Sequence, residues 1–101
     1  MTTSVSLFVE LKAKPGKEEE VAAFLAGAQS LVAAEPGTTA WFAVRFDKLT
    51  FAIFDAFEKD DGRKAHLNGK VAAALMARAT ELFEVAPTIR MADVLADKLP
   101  A

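Results

Sequence analysis

The chain has 101 residues with twelve basic and fourteen acidic side chains, a formal charge of −2 and a pI near 5.3. This balance offers nucleic acid no basic footprint, and the absence of cysteine excludes a disulfide framework, a thiolate metal site and a thiol nucleophile. No apolar run reaches the roughly eighteen residues of a membrane span, and Met1-Thr2-Thr3-Ser4 lacks the basic-then-apolar pattern of a secretory signal, so a cytoplasmic protein is expected.

Residues 4–14, "SVSLFVELKAK", read as a strand with Val5, Leu7, Val9 and Leu11 on one face and Phe8 on the other. Pro15-Gly16 ends it. Lys17-Glu18-Glu19-Glu20 then opens a helix, its acids set favourably against the N-terminal dipole. Val21, Phe24, Leu25, Ala28, Leu31 and Val32 form one apolar stripe, and Glu35-Pro36-Gly37 stops the helix. "TAWFAVRF" (39–46) and "TFAIFDAF" (50–57) read as paired strands. A two-residue turn would set Phe42 against Ile53 and Trp41 against Phe54, and a loop one residue longer would exchange the faces. Glu58 to Asn68 is expected to form one or two helical turns before Gly69. A longer helix is expected from about Lys70 to Phe83, burying Ala72, Leu75, Met76, Ala79, Leu82 and Phe83. Pro87 introduces a last strand over 88–96.

The order β-α-β-β-α-β predicts one α+β domain over residues 1–101, a ferredoxin-like fold with two helices on one face of a four-stranded antiparallel sheet. The other face should be polar if it meets water. Here both faces of the paired strands carry large apolar side chains, and hydrophobic residues make up 52% of the chain with a mean hydropathy of +0.21. A second copy stacked sheet on sheet, a homodimer, is the simplest cover.

Three segments, "KPGKEEEVAAFL" (14–25), "EPGTTAWFAV" (35–44) and "FAIFDAFEKDDGRKAHLNGKVAAAL" (51–75), resemble in order and spacing the antibiotic biosynthesis monooxygenase family, whose members form dimeric α/β barrels. Asp55 stands where that family usually has glutamate, Phe57 where it often has Trp or Tyr, and His66 at its histidine. The resemblance implies oxygenation of an electron-rich phenolic, anthrone or quinol-type molecule without metal or flavin. The same scaffold also hosts haem degradation, isomerisation and members without known activity.

The residues admit two readings at each position. His66, the only histidine, is either a general base at a cavity or a helix-terminal residue. Backward extension of the 70–83 periodicity puts it on the solvent side, unless Gly69 breaks the helix. Asp55, inside an apolar strand, is either a catalytic carboxylate or an anchor for a neighbouring donor. Arg45 and Arg90 could pair with Asp55 or Asp93 or orient an anionic substrate. Asn68 could bind a substrate oxygen or cap a helix. Trp41, Phe54 and Phe57 could wall an aromatic pocket or simply pack.

No cofactor is expected. The five glycines form no phosphate or dinucleotide loop, and one histidine without cysteine cannot build a three-ligand metal centre of the usual kind. A single histidine could hold haem, but the resemblance weakens that: the haem-degrading branch carries an Asn on its first strand, which this chain lacks, and its ligand position falls among Leu75, Met76 and Ala77 here. The expected partners are a second copy and a small aromatic ligand, with no nucleic acid and no membrane.

Overall fold

The computed structural model describes residues 2–100 and runs β1 (Val5–Lys12), α1 (Glu18–Val32), β2 (Thr38–Arg45), β3 (Thr50–Phe57), α2 (Asp60–Leu67), α3 (Lys70–Ala77), α4 (Ala79–Leu82) and β4 (Thr88–Asp93). The four strands form one antiparallel sheet in the order β2-β3-β1-β4. This is the ferredoxin-like α+β arrangement the alternating patterns predict. Among the described residues no helix is long and apolar enough to cross a membrane.

The β1–α1 reversal needs Gly16, whose φ of +91° lies where a side chain is strained. Its N–H donates to Glu18 Oε1 at 2.7 Å, so the first acid of α1 ties down the turn that precedes it. The apolar stripe of α1 then buries Val21, Leu25, Ala28 and Val32 against the sheet, while Leu31 stays exposed at its edge.

The β2–β3 connection fixes which residues meet the helices. Phe46 N–H donates to Thr50 O at 2.8 Å, and Asp47 Oδ1 accepts the N–H groups of Leu49 and Thr50 at 3.0 Å each. The loop therefore spans residues 47–49, one longer than the two-residue turn. Phe42 pairs with Phe54, Ala43 with Ile53, and Trp41 with Asp55. Trp41 and Asp55 share the helix-covered face with Ile53, Phe51 and Phe57, whereas Phe42 and Phe54 share the open face. A side-chain period of two turns one extra loop residue into a complete change of neighbours.

Three expectations require correction. The helix over 70–83 breaks at Arg78 into α3 and α4, and it buries Val71, Leu75, Leu82 and Phe83 while Met76 is 55% exposed. The break shifts the register, so one continuous 3.6-residue stripe does not describe both pieces. The last strand ends at Asp93 rather than 96, and every residue in it is exposed because the helices pack over β1, β2 and β3 instead. The arginine pairings differ from those expected: Arg45 does form a salt bridge, but with Glu19 at 3.0 Å, and Asp55 is taken by His66. Neither Arg45 nor Arg90 pairs with Asp55 or Asp93 among the described residues.

The core lies between the sheet and the helices, around Val9, Leu11, Val21, Leu25, Phe51 and Ile53. The opposite face exposes Phe42, Val44 and Phe54, at 55%, 40% and 40%. Such a row on one sheet face is a large apolar patch for a small domain.

Candidate active site

His66 is held where three elements meet. The segment Asp60–Leu67 is mostly polar and would form a weak helix alone. Arg63 anchors it: Nε and Nη2 bond Asp60 Oδ1 at 3.0 and 2.9 Å, and Nη1 donates to Ser6 O at 3.2 Å and Ala92 O at 3.3 Å. On its other flank α2 touches the α1–β2 loop backbone to backbone. A Cβ on Gly37 would stand 2.8 Å from Gly62 Cα, and a Cβ on Gly62 would stand 2.7 Å from Gly37 O. Only a glycine pair permits this approach. It carries Glu35, two residues before Gly37, to the imidazole.

The resulting constellation is a carboxylate–imidazole–carboxylate chain. His66 Nδ1 lies 2.7 Å from Glu35 Oε1, and Nε2 lies 2.9 Å from Asp55 Oδ2. Glu35 Oε1 also accepts from Thr38 Oγ1 at 2.7 Å. Asp55 is 1% exposed, and no aligned hydrogen-bond donor reaches either of its oxygens. Its contact with Nε2 is therefore an ion pair more than a well-formed hydrogen bond. The Phe57 ring, fully buried, stands 5.5 Å from the imidazole, centroid to centroid.

Burial of His66 works against its charge. The contacts with Asp55 and Glu35, and the charges they carry, outweigh that and raise its pKa above the ordinary 6.5. The shift favours the protonated ring, and both of its nitrogens are engaged. The centre joins two acidic side chains to one histidine.

A cavity of about 420 Å³ opens beside this chain, between the C-terminal end of α1, the α1–β2 loop and the α2–α3 junction. This is within the size range of small-molecule sites. Glu35 and His66 line it together with apolar Leu31, Ala34, Pro36 and Ala65. Gly69 also lines it, with extended backbone, and this residue separates α2 from α3. The separation is why the backward periodicity misplaces His66, which is 7% exposed rather than on the solvent side. Among the described residues no cluster of three His, Cys, Asp or Glu side chains has the arrangement of a metal site.

The structure joins some of the sequence candidates and separates others. His66, Asp55 and Phe57 come together. Trp41 lies directly across from Asp55 on β2 and packs against the buried cluster of Ala28, Val32 and Val71, its Nε1 buried without a partner among the described residues. Phe54 is on the open face, away from His66. Arg45 sits toward the other end of the strand pair, bonded to Glu19 and Lys48 O and lying 4.9 Å over the Phe51 ring. Asn68 is exposed and donates to Lys64 O at 3.0 Å, closing the end of α2.

Glu35 is the site residue that the sequence patterns did not single out. A physical signal existed. An acid just past a helix C-terminus opposes the negative end of the dipole, so it needs a cation. His66 is the basic partner, supplied from 31 residues further along the chain.

Known structures match this fold closely. The NE2512 protein of Nitrosomonas europaea, of unknown function, shares 56% identity over 98% of this chain and 96% of its own, with a TM-score of 0.96. Rv0793 from Mycobacterium tuberculosis has a TM-score of 0.84 at 15% identity, covering 93% of this chain and 97% of its own. An antibiotic biosynthesis monooxygenase gives 0.79 at 13% identity, over 91% of this chain and 99% of its own. No protein-family model and no curated protein sequence matches the chain. The chain therefore belongs to one family with the NE2512 protein, and its fold is that of the antibiotic biosynthesis monooxygenases.

Proposed function

We propose that this protein is a cytoplasmic, cofactor-independent monooxygenase acting on an electron-rich phenolic, anthrone or quinol-type molecule. The observation that carries the reading is the acid–base chain Glu35–His66–Asp55 opening onto an apolar cavity. An acid–base centre beside a largely apolar lining suits abstraction and return of a proton from a ring hydroxyl. Similarity of fold to a named monooxygenase adds support.

For an anthrone in its enol form, the hydroxyl proton passes to the centre. The anion gives one electron to dioxygen, and the substrate radical and superoxide combine in a new C–O bond. The peroxide takes the proton back. Loss of the ring C–H proton with cleavage of the O–O bond then releases water and leaves a carbonyl. One dioxygen is consumed, one oxygen atom enters the product, and no outside reductant is needed. His66 and Asp55 belong to the proton-accepting centre, Trp41 and Phe57 stiffen it from the core, and Phe54 acts only through a second copy.

With 1,8-dihydroxyanthrone and dioxygen, His66→Gln and Asp55→Asn should each lower kcat about 100-fold or more. Turnover unchanged in both variants would overturn the reading. A second reading, a non-catalytic small-ligand binder, is favoured by the engagement of both imidazole nitrogens. It predicts binding of such molecules without oxygen consumption by the unaltered protein.

A homodimer belongs to the same proposal, the exposed Phe42, Val44 and Phe54 of one protomer covering those of its partner. Light scattering at micromolar concentration should give twice the 10.8 kDa chain mass. Phe54→Lys, which places a charge in the middle of that face, should give the single-chain mass. A stable single-chain mass for the unaltered protein would defeat the dimer.

A further inference from the structure

The question left by the site is which atom of it meets a ligand. The imidazole presents no free nitrogen, because Nδ1 is 2.7 Å from Glu35 and Nε2 is 2.9 Å from Asp55. Asp55 is 1% exposed and lies behind the ring. Glu35 differs from both. Its Oε1 is shared by His66 and Thr38, while its Oε2 has no hydrogen-bond partner among the described residues and is not buried. The side chain is 21% exposed and lines the cavity. Gly69 flanks that oxygen: a Cβ there would come within 3.4 Å of Oε2, so the glycine leaves the approach open.

From this placement we infer that Glu35 Oε2, rather than His66, is the ligand-contacting atom of the cavity, and that it accepts the hydroxyl of a neutral, largely apolar ring molecule. The assignment rests on the proposed function only for the choice of this cavity as the occupied site. His66 and Asp55 are positioning residues: the imidazole holds Oε1, which leaves Oε2 facing outward, and Asp55 holds the imidazole.

The chemistry of the ligand follows from charge and lining. Two acidic side chains against one histidine give the centre an acidic balance, which disfavours a carboxylate or phosphate at Oε2. Leu31, Ala34, Pro36 and Ala65 offer apolar contact and little hydrogen bonding to a ring. Lys70, a lining cation without an ion pair among the described residues, is at the exposed start of α3 and is the competing contact for an anionic ligand. A site that hydrogen-bonds a hydroxyl discriminates strongly against the analogue lacking it, because its own polar atom is then left unpaired.

The test is equilibrium binding by calorimetry under nitrogen, with 2-naphthol, 2-methoxynaphthalene and 2-naphthoate as probes. The unaltered protein should bind 2-naphthol about tenfold or more tightly than the methyl ether, and more tightly than the carboxylate. Glu35→Gln places an amide donor where Oε2 stood and should reduce the preference over the ether to about threefold or less. Equal binding of naphthol and ether, tighter binding of naphthoate, or no binding of any probe at millimolar concentration would overturn the inference. So would a Glu35→Gln variant that keeps the full preference. If that variant does not fold, the ranking of the three probes by the unaltered protein decides alone. Since no turnover is measured, the oxygenase reading can fail while this ranking holds, and the reverse.

Discussion

Replacing His66 by alanine is expected to destabilise the protein by about 3–5 kcal/mol, the usual cost of removing one partner from a buried ion pair. The reason is the residue left behind. Asp55 is 1% exposed, and His66 is the only basic side chain at its carboxylate among the described residues. Without it the acid must remain charged in a poorly solvated place or take up a proton. Urea unfolding at about pH 6, below the ordinary histidine value, measures the loss. The double variant His66→Leu/Asp55→Leu should recover most of it, since a well-packed apolar pair often matches or exceeds a buried ionic one. A single variant as stable as the parent would show that Asp55 is compensated by something other than His66.

The same pair sets a dependence on pH. The folded-state pKa of His66 is raised above the ordinary 6.5 that it regains on unfolding. Its contribution to stability is therefore complete below about 6.5 and is lost as pH rises through the higher folded value. Stability of the parent should fall with rising pH across this window. In the double leucine variant this component of the slope should be absent.

Gly62→Ala is the second change with a large expected effect. The new Cβ would fall 2.7 Å from Gly37 O, an atom of the backbone that cannot rotate away. Overpacking of this kind costs about 1–3 kcal/mol. The helix and the α1–β2 loop must separate to relieve it, and Glu35 moves with the loop. The His66 pKa, followed by the ring proton shifts in NMR, should then fall toward 6.5, because one of the carboxylates that raise it has withdrawn. Gly27→Ala is the control. It lies in α1 and its added Cβ would meet nothing within 4 Å, so it should be neutral or gain up to about 1 kcal/mol from helix propensity. A His66 pKa unchanged in Gly62→Ala would mean that the glycine contact does not hold the Glu35–His66 pair together.

Much of the architecture was legible in the chain because it is written in local periodicity. Alternation over residues 5–11 places Val5, Leu7, Val9 and Leu11 on one face of β1, and β3 occupies residues 50–57 as its β-forming run predicts. The doubly apolar character of β2 and β3 reads equally directly, and so does the breaking role of Gly69. Each of these depends on neighbours within a few residues. The long helix over 70–83 failed because Arg78 ends one short helix and begins another, and packing on the sheet selected Val71 over Ala72 and Met76.

The site belongs to the other category. By itself the sequence determined the β-α-β-β-α-β order, the faces of the strands, and the presence of one histidine near a glycine. Only the tertiary structure decided that a 47–49 loop turns Trp41 and Asp55 toward the helices, and that Gly37 and Gly62 touch. It alone decided that Glu35, His66 and Asp55 form one chain of charge. Glu35 and Asp55 are far apart in the chain and approach His66 from a loop and a strand. Their meeting depends on how closely two backbones can pack and on which way a loop sets the register, and no pattern of neighbouring residues records either.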